Sequence, residues 1–181
     1  MHDPQLDAQP TRRRLLALGL GVGASAALSG RALAEDAARP LVVYAVRHAE
    51  KGEGRDPGLT EAGAARAAEL QRVLKDVAFD AVYSTNTLRT RSTAQPVAEG
   101  HGLEVTTYDP GGIAKQLEAG EARTVLVVGH SNTTPDLIRA LGGDFELKLL
   151  PESCYDALLL AVVLPGGGTL VQHLHFGAES K

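Results

Sequence analysis

The sequence predicts an α/β protein, a three-layer α/β/α arrangement with an open, mostly parallel sheet and a C-terminal antiparallel hairpin. Three observations carry that expectation. Continuous apolar runs rich in β-branched residues, such as Leu41-Val42-Val43-Tyr44-Ala45-Val46, read as strands buried on both faces. Strand-like and helix-like segments alternate four times, the pattern of parallel strands joined by covering helices. Two last apolar runs, Leu158 to Leu164 and Thr169 to Leu174, flank Pro165-Gly166-Gly167-Gly168 and read as a hairpin.

Along the chain, the first strand ends in Arg47-His48, and a Gly- and charge-rich loop follows. Thr60 is placed to cap a helix running to about Leu74, with Glu61 in its first turn where the helix dipole favours an acid. Ala81-Val82-Tyr83 is a short second strand, and Leu88 to Glu99 a second helix, interrupted near Pro96. Leu103 to Tyr108 reads as a third strand, followed by a short helix from Ala114 to Ala119. Thr124 to Val128 is a fourth strand ending at Gly129-His130, and Pro135 suits the first position of a helix through about Leu141.

Before these elements stands a different kind of segment. Thr11-Arg12-Arg13-Arg14-Leu15-Leu16 precedes an apolar stretch from Ala17 to about Leu28, and Ala32-Leu33-Ala34 supplies a small-x-small ending. A charged start, an apolar middle and a small-residue end predict a secretory signal over residues 1–34, with the mature domain at 35–181. The paired arginines resemble a twin-arginine signal, although Leu15 stands where Phe is usual. The expectation is therefore delivery by the twin-arginine export machinery to a periplasmic or secreted location. The stretch is short for a span and diluted by Gly19, Gly21, Gly23 and Ser25, so no stable membrane anchor is expected.

Of the 181 residues, 44% are hydrophobic and 22% charged, which allows one folded domain once the leader is set aside. The apolar content is mainly Ala, Val and Leu, with no Trp and three Phe. Such a core packs through small side chains and offers few aromatic platforms for nucleic acid. A net charge of −4 likewise argues against a nucleic-acid partner. The lone Cys154 allows neither an intramolecular disulfide nor a thiolate metal site, and reads as a small apolar residue beside a strand.

In open parallel sheets the ligand crevice lies beyond the carboxyl ends of the strands. Those ends carry Arg47-His48, Ser84-Thr85 and Gly129-His130, with Arg89 early in the second helix. One mouth is thus expected to hold two guanidinium groups and two imidazoles. Guanidinium matches phosphate oxygens in a bidentate fork, and imidazole donates to a further oxygen. Phosphate is the natural guest. His101 in a loop, and His173 and His175 alternating along the last strand, fall outside this group.

At this point the sequence resembles the histidine phosphatase superfamily, the clan of phosphoglycerate mutases and small phosphohistidine phosphatases. The residues that carry the resemblance are Arg47-His48-Ala49-Glu50-Lys51, Leu59-Thr60-Glu61-Ala62-Gly63, Tyr83-Ser84-Thr85 with Arg89 and Thr93-Ala94, and Val128-Gly129-His130-Ser131. They stand in family order between about Val42 and Gly143. Ala49 occupies a position where the mutases usually have Gly, which brings the chain closer to the short phosphohistidine phosphatase branch.

The resemblance implies a metal-independent phosphoric monoester hydrolase without cofactor. His48 would take the phosphoryl group as a neutral imidazole, and Arg47, Arg89 and His130 would hold its oxygens. Ser131 is a further phosphate-binding candidate, and Arg91, two positions beyond Arg89, is expected to point elsewhere. Many superfamily members supply a Glu as proton donor after the third strand. Here that segment is Asp109-Pro110-Gly111-Gly112, so Asp109 is the possible general acid, although an Asp before Pro is also an ordinary turn residue. The expected partner is a small phosphorylated substrate or a phosphoprotein, hydrolysed as a phosphomonoester or phosphoramidate. The alternatives are a mutase-like phosphoryl transferase and a catalytically weak phosphate-binding module.

Overall fold

The computed structural model describes residues 39–180; the segment read as an export signal lies outside them. Six strands form one sheet: β1 (Leu41–Arg47), β2 (Ala81–Ser84), β3 (Val105–Thr107), β4 (Thr124–Gly129), β5 (Ala157–Val163) and β6 (Thr169–His175). Their order is β3-β2-β4-β1-β5-β6. The first four run parallel, whereas β5 is antiparallel to β1 and to β6, so the hairpin closes one edge as expected. Between them stand α1 (Glu61–Leu74), α2 (Leu88–Gly100), α3 (Ile113–Ala119) and α4 (Thr133–Ala140).

The alternation of side chains along each strand divides the core into two layers. Val43, Ala45, Val125, Val127 and Leu159 pack with Ile113 and Leu117 of α3 and with Leu137 and Ile138 of α4. Val46, Val82, Leu126, Val128 and Leu158 pack instead with Leu70 and Leu74 of α1 and with Ala94, Val97 and Ala98 of α2. The helix after β1 therefore covers one face and the helix after its neighbour β4 the other. Two adjacent parallel strands whose connections part to opposite faces leave a crevice at their carboxyl ends. That crevice opens between Arg47-His48 and Gly129-His130.

Thr60 caps α1 as expected, its hydroxyl accepting the Gly63 amide at 3.1 Å. Gly63 shows why that position lacks a side chain: a Cβ there would lie 2.1 Å from the Glu50 carbonyl oxygen. The helix is thereby seated against the loop that follows His48. Three element boundaries differ from expectation. Helix α2 runs through Pro96 without a break, because buried Thr93, Ala94, Val97 and Ala98 hold both sides of the proline against the sheet. Helix α4 starts at Thr133 and carries Pro135 as its third residue, where the missing amide has no intrahelical acceptor to lose. Strand β3 spans only Val105 to Thr107, because its partner β2 is itself four residues long.

Candidate active site

The β1–β4 ladder aligns Arg47 with Gly129, and the His48 amide extends it by donating to the Gly129 carbonyl at 2.9 Å. His48 and His130 thus leave their strands at the same level. Their rings stand 5.5 Å apart between centroids, inclined at 69°. Gly129 keeps this junction tight, since a Cβ there would approach the Thr133 hydroxyl to 2.6 Å and the Tyr108 hydroxyl to 3.0 Å.

His48 is 3% exposed, and its Nδ1 lies 2.8 Å from the Ala49 carbonyl oxygen. A carbonyl only accepts, so Nδ1 carries the proton and the neutral ring presents Nε2 as an unprotonated nitrogen. Burial pulls the pKa down to about 4, with Arg47, Arg89 and His130 adding to the effect against the Ala49 hydrogen bond. The ring is thus neutral over the whole range in which the protein is expected to work. The same shift links to stability. Between pH 6.5 and about 4 the unfolded chain binds a proton at His48 that the folded chain refuses, so stability falls as pH drops through that window. His130, also lowered by burial and by Arg89 and Arg47, acts in the same direction. Urea unfolding is expected to show a loss of about 2 kcal/mol from His48 between pH 7 and pH 5. An unchanged midpoint would show that the ring ionises freely in the folded protein.

Arg47 is held from a distant part of the chain. Its Nη1 donates to the carbonyls of Pro151 at 2.9 Å, Glu152 at 2.8 Å and Cys154 at 3.4 Å, and the guanidinium carbon lies 4.4 Å from the Tyr155 ring centroid. Arg89 is steered from the other side. Its Nη1 stands 3.6 Å from Asp56 Oδ1, and its Nη2 lies 3.5 Å from His130 Nδ1. Asp56 also accepts the Leu88 amide at 3.0 Å and so caps α2 from the Gly-rich loop. The Nε atoms of both arginines are buried without a protein partner. Two guanidiniums beside two imidazoles, with no carboxylate but Asp56 at the rim of Arg89, make a locally cationic site suited to an anion.

Thr93 joins the halves of the site, its hydroxyl accepting the Ala49 amide at 3.0 Å and donating to the Arg89 carbonyl at 2.8 Å. The loop bearing His48 is braced further by the Glu50–Arg66 pair, in which Arg66 Nε meets the two carboxylate oxygens at 2.9 and 3.0 Å. Arg66 in turn holds the carbonyls of Phe176 and Ala178.

The structure brings Arg47, His48, Arg89 and His130 together. Ser131 adjoins the group; its carbonyl accepts the Leu150 amide, while its hydroxyl makes no hydrogen bond to another described residue. Asp109 follows the edge strand β3, which β2 and β4 separate from β1, a spacing of about 14 Å across the sheet. Its carbonyl accepts the Gly112 amide at the entry to α3. Arg91 is exposed and pairs with Asn86. His173 and His175 stack on each other at 4.7 Å on the last strand, and His175 pairs with Asp156, a partner invisible in the sequence pattern. Thr85 was placed at the crevice by its strand end but given no role, and Asp56, Tyr155 and the carbonyls of residues 151, 152 and 154 went unread. The Gly-rich loop offered a weak signal for Asp56; nothing local pointed to the others.

The profile of the histidine phosphatase superfamily (branch 1) matches residues 43–110. A search of curated protein sequences gave no significant match. Among solved structures, one assigned as the phosphohistidine phosphatase SixA from Nakamurella multipartitia superposes with a TM-score of 0.57 at 22% identity, covering 77% of this chain and 98% of that one. One assigned as an alpha-ribazole-5'-P phosphatase from Escherichia coli gives 0.60 at 17%, covering 77% and 99%. A phosphoglycerate mutase from Bacillus anthracis gives 0.58 at 19%, covering 77% and 95%. At such identities the likeness is one of fold, and it spans relatives with different substrates. The family profile is matched over the segment that carries Arg47, His48 and Arg89, so this segment is similar to the histidine phosphatase superfamily (branch 1), within a fold shared with those solved structures.

Proposed function

We propose that the protein is an exported, metal-independent phosphatase that hydrolyses phosphomonoesters or phosphoramidates through a phosphohistidine at His48. The observation that carries this reading is the unprotonated Nε2 of a buried histidine set among Arg47, Arg89 and His130. Nε2 attacks phosphorus as the bond to the leaving group breaks; water then attacks phosphorus and releases His48 with inorganic phosphate. Arg47, Arg89 and His130 hold the oxygens on which charge redistributes. Among the described residues no three His, Cys, Asp or Glu side chains cluster as a metal site.

Asp109 is the proposed proton donor provided that its carboxyl comes within hydrogen-bond reach of the atom bonded to phosphorus, whatever the length of the leaving group. Its place after the edge strand β3 favours leaving groups that depart readily without help, namely aryl oxides and the protonated imidazole of phosphohistidine. Export rests on the N-terminal charged, apolar and small-residue pattern.

One experiment tests the core of the reading. Brief mixing with p-nitrophenyl phosphate, an alkaline quench and intact-mass measurement are expected to show a transient gain of one phosphoryl group. The same spectrum of exported protein should place the mature N-terminus at Glu35. Vanadate is expected to inhibit nitrophenol release, and a chelator to leave it unchanged. Chelator-sensitive turnover would overturn the metal-free mechanism. Phosphate binding with neither adduct nor nitrophenol would favour a binding module.

A further inference from the structure

The reading of Arg47, His48, Arg89 and His130 as a phosphoryl site leaves the role of Thr85 unassigned, and the inference below rests on that reading. Thr85 is 5% exposed at the end of β2, and its Oγ1 lies 2.9 Å from His130 Nε2. The same oxygen lies 3.0 Å from Oγ1 of the fully buried Thr90. Thr90 spends its own proton on the carbonyl of Thr85 at 2.8 Å or of Thr87 at 3.0 Å. Thr85 donating to Thr90 Oγ1, which also meets Thr87 Oγ1 at 2.8 Å, uses its single proton, and Arg89 Nη2, which only donates, faces His130 Nδ1 at 3.5 Å and so asks for a lone pair there. What remains of the Thr85 hydroxyl toward His130 is an acceptor.

We propose that Thr85 is a positioning residue that holds His130 in the tautomer with its proton on Nε2, so that phosphoryl binding places one additional proton between His130 Nδ1 and a phosphoryl oxygen. In the neutral ring of that tautomer Nδ1 is a lone pair, and it faces Arg89 Nη2 at 3.5 Å. A phosphoryl dianion brought against this lone pair meets no donor. The contact becomes a hydrogen bond only when a proton lies between the two atoms, supplied by the phosphoryl monoanion or taken from solvent. The charged and titratable groups around the ring are Arg47 and His48 from β1 and Arg89 from α2, with Asp56 behind Arg89. The two cations keep the free ring neutral, and an arriving anion offsets them.

The test uses the whole protein and inorganic phosphate. Calorimetric titration at pH 8 in buffers of different ionisation heat is expected to show uptake of about one proton per phosphate bound by the wild type and by Thr85→Ser. Linkage of one proton also requires Kd to weaken about tenfold per pH unit between pH 7.5 and 8.5. In Thr85→Val, Nε2–H would lose its acceptor, the ring would turn to the Nδ1–H tautomer, and that N–H would donate to the dianion directly. Uptake should then fall toward zero and Kd weaken less than threefold over the same range. A merely structural role would weaken binding in the variant without changing the proton count. Equal uptake in wild type and Thr85→Val would overturn the assignment while leaving the phosphate site standing. Absence of phosphate binding by the wild type at every pH would remove the site and the inference with it. Ring ¹⁵N shifts of His130 in the free wild type give a reading independent of any ligand or variant: an Nε2–H pattern is expected, and an Nδ1–H pattern would overturn the proposal.

Discussion

His48→Ala is expected to lower kcat by at least ~10⁴-fold and to abolish the phosphoryl adduct, while His173→Ala stays within about twofold of the wild type. The contrast follows from placement. His48 is buried with its Nε2 unprotonated among Arg47, Arg89 and His130. His173 lies on the exposed outer strand, stacked on His175 and packed edge-on to Phe145. The His130 lone pair faces Arg89 and is given to holding the phosphoryl group, so the loss should not be recovered at another pH. Stopped-flow mixing with p-nitrophenyl phosphate checks the rate, and intact mass checks the adduct. Equal losses in the two variants would mean that the reacting nitrogen lies elsewhere.

The second large effect concerns Arg89. Arg89→Ala is expected to cut kcat/KM by roughly 10²–10³-fold, the cost of removing one preorganised donor to the developing charge. Arg89→Lys should recover part of this, because a lysine supplies the charge without the planar fork. The fold should be little affected: Arg89 meets Asp56 at the partly exposed rim, and Asp56 keeps its cap on the Leu88 amide. Arg47 is the poorer choice for such a test. Its truncation would strand the carbonyls of Pro151, Glu152 and Cys154 and mix lost stability with lost catalysis. Unchanged kcat/KM in Arg89→Ala, with unfolding also unchanged, would show that its guanidinium does not touch the transferred group.

The strands were legible because a strand buried on both faces must be apolar throughout, and Leu41 to Val46 and Thr124 to Val128 obey that rule. The cap at Thr60 was legible because capping is settled within four residues. Pro96 misled for the converse reason: a local helix breaker was overruled by packing of residues on both sides of it. The site divides along the same line. Arg47, His48 and His130 follow strand ends directly, so naming the strands named them, and the resemblance to a known family singled out Arg89.

The sequence by itself determined the layered α/β architecture, the chemistry available at the strand ends and the family resemblance. Each of these depends on residues near one another in the chain. Only the tertiary structure decided how those groups are held and ionised. The carbonyls that grip Arg47 come from more than 100 residues further along, and the hydroxyl that meets His130 lies 45 residues earlier. The low pKa of His48 arises from burial that no local pattern encodes. A side chain's identity sets what chemistry is possible. Its protonation and orientation depend on the neighbours and the dielectric that folding brings to it.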